Sequence, residues 1–143
     1  MMAGIRGKDT KPEMLIRRGL HARGFRYTLH CKLPGKPDIC LPKYRSVILV
    51  HGCFWHGHDC HLFKWPKTRP EFWRAKIGRN KAVDDRSIDA LHEAGWRMAT
   101  IWECALKGSR RQTLDSIIET LVIWLNSTDS DLVVEGASLR ASV

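Results

Sequence analysis

The chain reads as an α/β protein in which helices flank a mixed central sheet. Three observations predict this. The run Val47-Ile48-Leu49-Val50 is apolar on both faces, as a central strand is. Two helix starts of the form Thr-x-Pro-Glu, at Thr10 and Thr68, stand on either side of it. Leu114, Ile117, Ile118, Leu121, Val122 and Leu125 follow the i, i+3, i+4, i+7 spacing of an amphipathic helix. The resulting order of helix, three strands, helices, strand and helix suits helices packed on the faces of one sheet.

Each element has its own local signal. Thr10-Lys11-Pro12-Glu13 supplies an N-cap, a proline in the first turn and a glutamate at N3. That helix is expected to run to about Arg23 and stop at Gly24. Phe25 to His30 alternates apolar and polar residues, the period of a half-buried strand. Leu33-Pro34-Gly35-Lys36-Pro37 is turn chemistry leading into Asp38-Ile39-Cys40-Leu41, a short strand ended by Pro42. After Lys43-Tyr44-Arg45 comes the central strand. Thr68-Arg69-Pro70-Glu71 opens a helix through Phe72, Trp73 and Ile77. A second helical stretch, through Val83, Ile88 and Leu91, stops at Ala94-Gly95. Trp96 to Trp102 reads as another strand. Residues 1–126 are expected to form a single domain with a metal loop over 51–64. No clear period follows Ser127, so residues 127–143 read as a loosely held tail.

Composition narrows the class. A chain of 143 residues buries a real core without needing disulfides. No apolar run approaches a membrane span, and the N-terminal stretch lacks the apolar core of a secretory signal. Five cysteines cannot all pair, which favours a reduced, cytosolic setting. The net charge of +9 is unevenly spread. Residues 1–82 hold 18 Lys and Arg against 5 Asp and Glu, and residues 83–143 hold 6 against 10. A basic first part joined to an acidic remainder fits a polyanion-facing side and a back, and on charge alone it fits a solvated basic surface equally well.

Three groups of residues carry chemistry. Cys53, His58 and Cys60 lie on one loop, and Cys104 closes a later strand; thiolates and imidazole in a closed set of four are a structural zinc pattern. Spacing alone leaves open whether His56 or His61 replaces His58. Cys31 and Cys40 read as small apolar side chains outside this set. Asp38 starts one strand and Val50-His51 ends the next, so if the two pair in one sheet Asp38 and His51 can converge at an edge, where a carboxylate and a backbone carbonyl suit Mg²⁺. Phe54-Trp55, with Trp73 on the following helix, are aromatics on a basic loop, suited to stacking on or wedging between bases. Trp96, Trp102 and Trp124 read as core.

Together these strings resemble the very short patch repair (Vsr) DNA mismatch endonucleases. The resemblance is carried by Asp9-Thr10-Lys11-Pro12-Glu13, Leu33-Pro34-Gly35-Lys36-Pro37-Asp38 and His51-Gly52-Cys53-Phe54-Trp55-His56-Gly57-His58-Asp59-Cys60. It continues through Glu71-Phe72-Trp73, Lys76-Ile77-Gly78-x-Asn80, Gly95-Trp96-Arg97 and Trp102-Glu103-Cys104-Ala105-Leu106, covering roughly residues 2–106. It implies a restriction-endonuclease-like core and a structural zinc on Cys53, His58, Cys60 and Cys104. The implied activity is Mg²⁺-dependent nicking of duplex DNA 5′ of the thymine in a T:G mismatch, the product of 5-methylcytosine deamination.

By that resemblance Asp38 and the Val50 main-chain carbonyl hold magnesium, and His56 activates the attacking water. His51 and Glu13 surround the metal-bound waters, with Asp84 supporting them. Phe54, Trp55 and Trp73 intercalate beside the mismatch, while Met2 and Ile5 insert from the minor groove. Val50 stands where the best-known member has a threonine, and Val83 stands at an expected arginine. The implied setting is a monomer at the nucleoid in the bacterial cytoplasm, with mismatch-repair proteins as partners. The rival readings are a restriction-type nuclease of the same fold cutting intact duplex, and a zinc-containing DNA-binding module without catalysis.

Overall fold

The computed structural model describes residues 10–137. Five strands form one mixed sheet in the order β1 (Thr28–Leu29), β2 (Ile39–Leu41), β3 (Ser46–His51), β4 (Arg97–Trp102) and β5 (Leu132–Val134). The first two pairings are antiparallel and the last two parallel. Helix α1 (Lys11–Ala22) precedes the sheet, and α2 (Pro70–Glu93) crosses from β3 to β4. The single turn α3 (Glu103–Leu106) follows β4 directly, and α4 (Leu114–Leu125) crosses to β5. Among the described residues no helix is long and apolar enough to cross a membrane.

The two-sided run in β3 is explained by the layers. Ile48 faces a core built with Ile39, Leu41, Ala99 and Ile101, covered by Ile16 and Leu20 of α1 and Ile117, Ile118 and Leu121 of α4. Val47 and Leu49 face the opposite side, where Leu91 and Ile88 of α2 close a smaller core over Cys40 and Met98. Each such fully buried aliphatic side chain contributes roughly 1.5–3 kcal/mol relative to its exposed state. Helix α2 buries only Ile77 and Leu91 over its 24 residues, so most of its basic surface stays in solvent.

Four expectations change in detail. The two helical stretches between residues 69 and 94 are one continuous helix, because no residue from Pro70 to Glu93 breaks the hydrogen-bond ladder. Thr10 caps α1, accepting from the Glu13 N–H at 3.4 Å. Thr68 does not repeat this role; the second helix is preceded by Arg69 at φ 52°, with no side-chain cap. Residues after Ser127 are not a loose tail as far as they are described. Leu132–Val134 adds a fifth strand, in register Ala99↔Leu132 to Ile101↔Val134, and three residues are too few for a period to show in sequence. Finally, Cys31 and Cys40 are not independent apolar residues. Cys40 pairs with Thr28 in the β1–β2 hairpin, and the structure joins it to Cys31, just beyond β1, in a disulfide, Cα–Cα 6.6 Å, around the loop that carries Asp38.

Candidate active site and metal centre

The parallel pair β3–β4 ends at His51 and Trp102, which are register partners. Polar side chains gather just beyond these carboxyl ends, as they do in open α/β sheets generally. Asp38 enters from the residue before β2. Pairing of Ile39 with Ile48 sets it beside the end of β3, and its Oδ2 accepts the Val50 N–H at 2.7 Å. Burial, opposed by that hydrogen bond and reinforced by Glu13, raises the Asp38 carboxyl from its ordinary value to about 6. The two strands pair, and the contact of Asp38 with the end of β3 is to the Val50 N–H rather than to His51.

Glu13 lies behind Asp38 and is only 1% exposed. Its carboxylate holds Arg17 at 2.9 Å and His30 Nε2 at 3.2 Å. The oxygens of Glu13 and Asp38 and a His30 ring nitrogen lie within 4.8 Å of one another, a group able to hold a metal ion. His30 carried no motif in the sequence. It is the residue at φ 50° that ends the short β1 strand, so only the hairpin brings it to Glu13.

His51 and His56 stack face to face, 3.8 Å between ring centroids and 2° between planes. Burial, with the His56 ring beside it, lowers His51 from its ordinary value to about 4, so it is neutral near pH 7. His56 Nδ1 lies 2.6 Å from Asp84 Oδ2. A carboxylate only accepts, so Nδ1 carries the proton and Nε2 is left as the basic nitrogen. Asp38, His51, His56, Asp84 and Trp55 border one cleft of about 580 Å³.

The second centre lies behind Trp102, whose ring stacks on His58 at 4.0 Å. His58 Nδ1 is 3.6 Å from Cys53 Sγ and 3.7 Å from Cys104 Sγ. One donor atom from each of Cys53, His58, Cys60 and Cys104 falls within 4.8 Å of the others. Three sulfurs and one imidazole nitrogen make a closed donor set able to hold a tetrahedral metal ion. Burial raises the Cys53 and Cys104 thiols above their ordinary values. Of the histidines that spacing left open, His56 is taken up by Asp84. Both buried ring nitrogens of His61 lack a hydrogen-bond partner, and His61 stands outside the four.

Between Cys53 and Cys60 the loop projects Phe54 and Trp55. Their rings meet Trp73 of α2, with centroids 5.1 Å apart for Phe54–Trp55, 5.3 Å for Phe54–Trp73 and 5.8 Å for Trp55–Trp73. The cluster continues to Phe63 and Trp65, and Arg74 lies 5.0 Å over Trp65. Gly57 lets this loop lie against α2. It sits at φ 61°, and a Cβ there would meet Lys81 Cε at 2.5 Å and Ile77 Cγ2 at 2.7 Å.

A family profile described as DNA mismatch endonuclease Vsr matches residues 1–62. The DNA mismatch endonuclease Vsr of Escherichia coli strain K12 is 44% identical over 125 residues, 87% of this chain and 80% of its own. Type II nicking enzyme V.XorIIP of Xanthomonas oryzae pv. oryzae is 45% identical over 122 residues, 83% of this chain and 90% of its own. Type II nicking enzyme V.NmeAIP of Neisseria meningitidis serogroup A is 40% identical, covering 85% of this chain and 89% of its own.

The chain belongs to the Vsr family. The family resemblance carried by the sequence strings is thereby borne out, and the site residues can be placed one by one. Asp38, Val50, His51, His56, Asp84 and Glu13 converge at the sheet's carboxyl end, while Phe54, Trp55 and Trp73 form one aromatic cluster beside them. Met2 and Ile5 lie outside the described residues. Trp102, expected in the core, is instead the wall between the two centres, edge-on to His51 at 5.3 Å and stacked on His58.

Sequence reasoning in this Vsr chain missed three supports besides His30. Glu103 Oε1 accepts the Cys53 N–H at 3.1 Å, fixing where the metal loop begins. Asn80 donates to the Trp55 carbonyl at 2.8 Å and holds the aromatic loop on α2. Glu135 reaches His58 from beyond β5. Asn80 and Glu103 stand within the matching strings, but no spacing rule assigns them a partner. Glu135 has no signal in sequence.

Proposed function

We propose that this protein is a Mg²⁺-dependent endonuclease that nicks one strand of duplex DNA 5′ of the thymine in a T:G mismatch. In this reading it acts as a monomer in the bacterial cytoplasm on a restriction-endonuclease-like core. The observation that carries the reading is the meeting of an oriented His56–Asp84 pair and the Asp38 carboxylate in one cleft, beside an aromatic cluster. Membership of the Vsr family supports it.

The roles follow from the chemistry of each group. Asp38 and the Val50 carbonyl would hold magnesium, which when bound neutralises charge on the phosphate and on the leaving oxygen. Glu13 and His51 border that position and orient its waters. His56 takes the proton of the attacking water at Nε2, while Asp84 fixes the tautomer and stabilises the imidazolium. Phe54, Trp55 and Trp73 enter the base stack where a wobble pair has already weakened it, so selectivity arises partly from deformability. Met2 and Ile5 are assigned to the opposite, minor-groove side. Cys53, His58, Cys60 and Cys104 would hold a structural zinc, tying the loop that carries both the wedge and His56 to α3 at the end of β4. The basic N-terminal part supplies salt-sensitive, sequence-independent affinity.

The test is direct. A labelled duplex with one T:G pair and its T:A counterpart are incubated with protein in Mg²⁺ or EDTA. Nicking of the T:G duplex alone, and only with Mg²⁺, is expected. Equal cutting of both duplexes would indicate a restriction-type nuclease, and binding without nicking would indicate a non-catalytic module. Within that assay His56→Ala is expected to lower the single-turnover nicking rate about 100- to 10,000-fold, the range of a lost general base. Asp84→Asn should lower it less, with DNA affinity unchanged for both. A wild-type rate for His56→Ala would assign water activation to another group.

A further inference from the structure

Two consecutive residues of the segment after β5 make hydrogen bonds to side chains of the four-donor centre. Glu135 Oε1 lies 2.8 Å from His58 Nε2. The Gly136 N–H points at Cys104 Sγ, 3.2 Å away. The segment is itself fastened at several points. Val134 pairs with Ile101 in the sheet, Gln112 Nε2 donates to the Glu135 carbonyl at 2.7 Å, and the Ala137 N–H donates to the Arg110 carbonyl at 2.7 Å. Gly136 also has no room for a side chain. A Cβ there would meet the Cys104 carbonyl oxygen at 2.9 Å and the Arg110 carbonyl oxygen at 3.2 Å.

We propose that residues 135–136 are a positioning strap for the zinc centre, with Glu135 orienting His58 and the Gly136 N–H stabilising the Cys104 thiolate. This rests on reading Cys53, His58, Cys60 and Cys104 as zinc ligands. The chemistry of the contacts is that of metal-bound histidine elsewhere. An imidazole that ligates through one nitrogen donates its other N–H to a carboxylate, which fixes ring orientation and tautomer and raises ligand basicity. Here the Glu135 carboxylate accepts from Nε2–H, so the lone pair of Nδ1 is directed at the three sulfurs. The amide of Gly136 offers a donor to a sulfur that carries charge once the metal is bound. Because His58 and Cys60 close the loop bearing Phe54, Trp55 and His56, the strap holds the wedge and the water-activating histidine through the metal. The carboxyl-terminal segment is thus a working part of the site.

The experiment measures zinc release from purified full-length protein into excess chromogenic chelator at neutral pH. It compares wild type with Glu135→Ala, Glu135→Gln, Gly136→Ala and the control Glu119→Ala, which removes an exposed carboxylate paired with Arg23 far from the centre. Half of the Glu135 side chain is exposed, so the lower end of the usual range for such partners applies. Release about tenfold faster is expected for Glu135→Ala. Glu135→Gln, whose amide oxygen still accepts, should fall between it and wild type, and it serves also if the alanine variant fails to fold. Gly136→Ala should accelerate release, and Glu119→Ala should match wild type. Wild-type release in Glu135→Ala overturns the proposal, even if its melting temperature falls, because the strap would then be merely structural. Equal acceleration in Glu119→Ala also overturns it, since net charge would be the cause. A wild-type protein that contains no zinc would instead sink the zinc reading itself.

Discussion

Asp38→Ala is expected to abolish nicking of a T:G duplex while leaving the fold intact. Asp38 is the carboxylate at the Val50 edge and the anchor proposed for magnesium. Losing the metal's stabilisation of phosphate charge removes several kcal/mol from the transition state, a drop of about 1,000-fold or more in rate. The fold should tolerate the change. The lost hydrogen bond to Val50 N–H is offset by relief of a largely buried carboxylate that sits close to Glu13, and the two cores are untouched. Single-turnover nicking, DNA affinity and thermal melting measured side by side separate these effects. Undiminished nicking would remove Asp38 from the site.

The second large effect concerns the metal centre. Cys104→Ser is expected to release zinc and to destabilise the protein by more than about 4 kcal/mol, the range reserved for lost metals, disulfides and buried networks. A serine hydroxyl is a poor zinc ligand, and the loop from Cys53 to Cys60 has little apolar burial of its own to replace the metal. Cys53 is buried, but Phe54, Trp55, His56 and His58 are only half buried. Chelation of wild-type zinc should do the same, with proteolysis appearing first within this loop. Metal content and melting temperature are the measurements. A variant retaining both zinc and wild-type melting would take Cys104 out of the ligand set.

Much of the site was legible because its chemistry is clustered in the chain. His51 to Cys60 delivers two histidines of the cleft, three donors of the metal set and two aromatics within ten residues. Asp38 was legible for a different reason. A Pro-Asp turn starting one strand and a polar end to the next meet if the two strands pair, and the antiparallel pairing Ile39↔Ile48 supplies that edge. What stayed hidden depends on contacts between residues far apart in sequence. His30 meets Glu13 across 17 positions, Glu103 meets Cys53 across 50, and Glu135 meets His58 across 77. No periodicity records such pairings.

Taken alone, the amino-acid sequence determined the α/β class, the central strand, the capped first helix, the closing amphipathic helix and the family. These follow from local propensity, hydrophobic period and contiguous motifs, which act over a few residues. The tertiary structure alone decided that Trp102 divides two centres, that His30, Asn80 and Glu103 brace the site, and that residues 132–134 add a fifth strand. Each of these is settled by which distant segments the fold sets side by side. Register is a property of strand pairing between distant segments, and it exists only once the chain has folded.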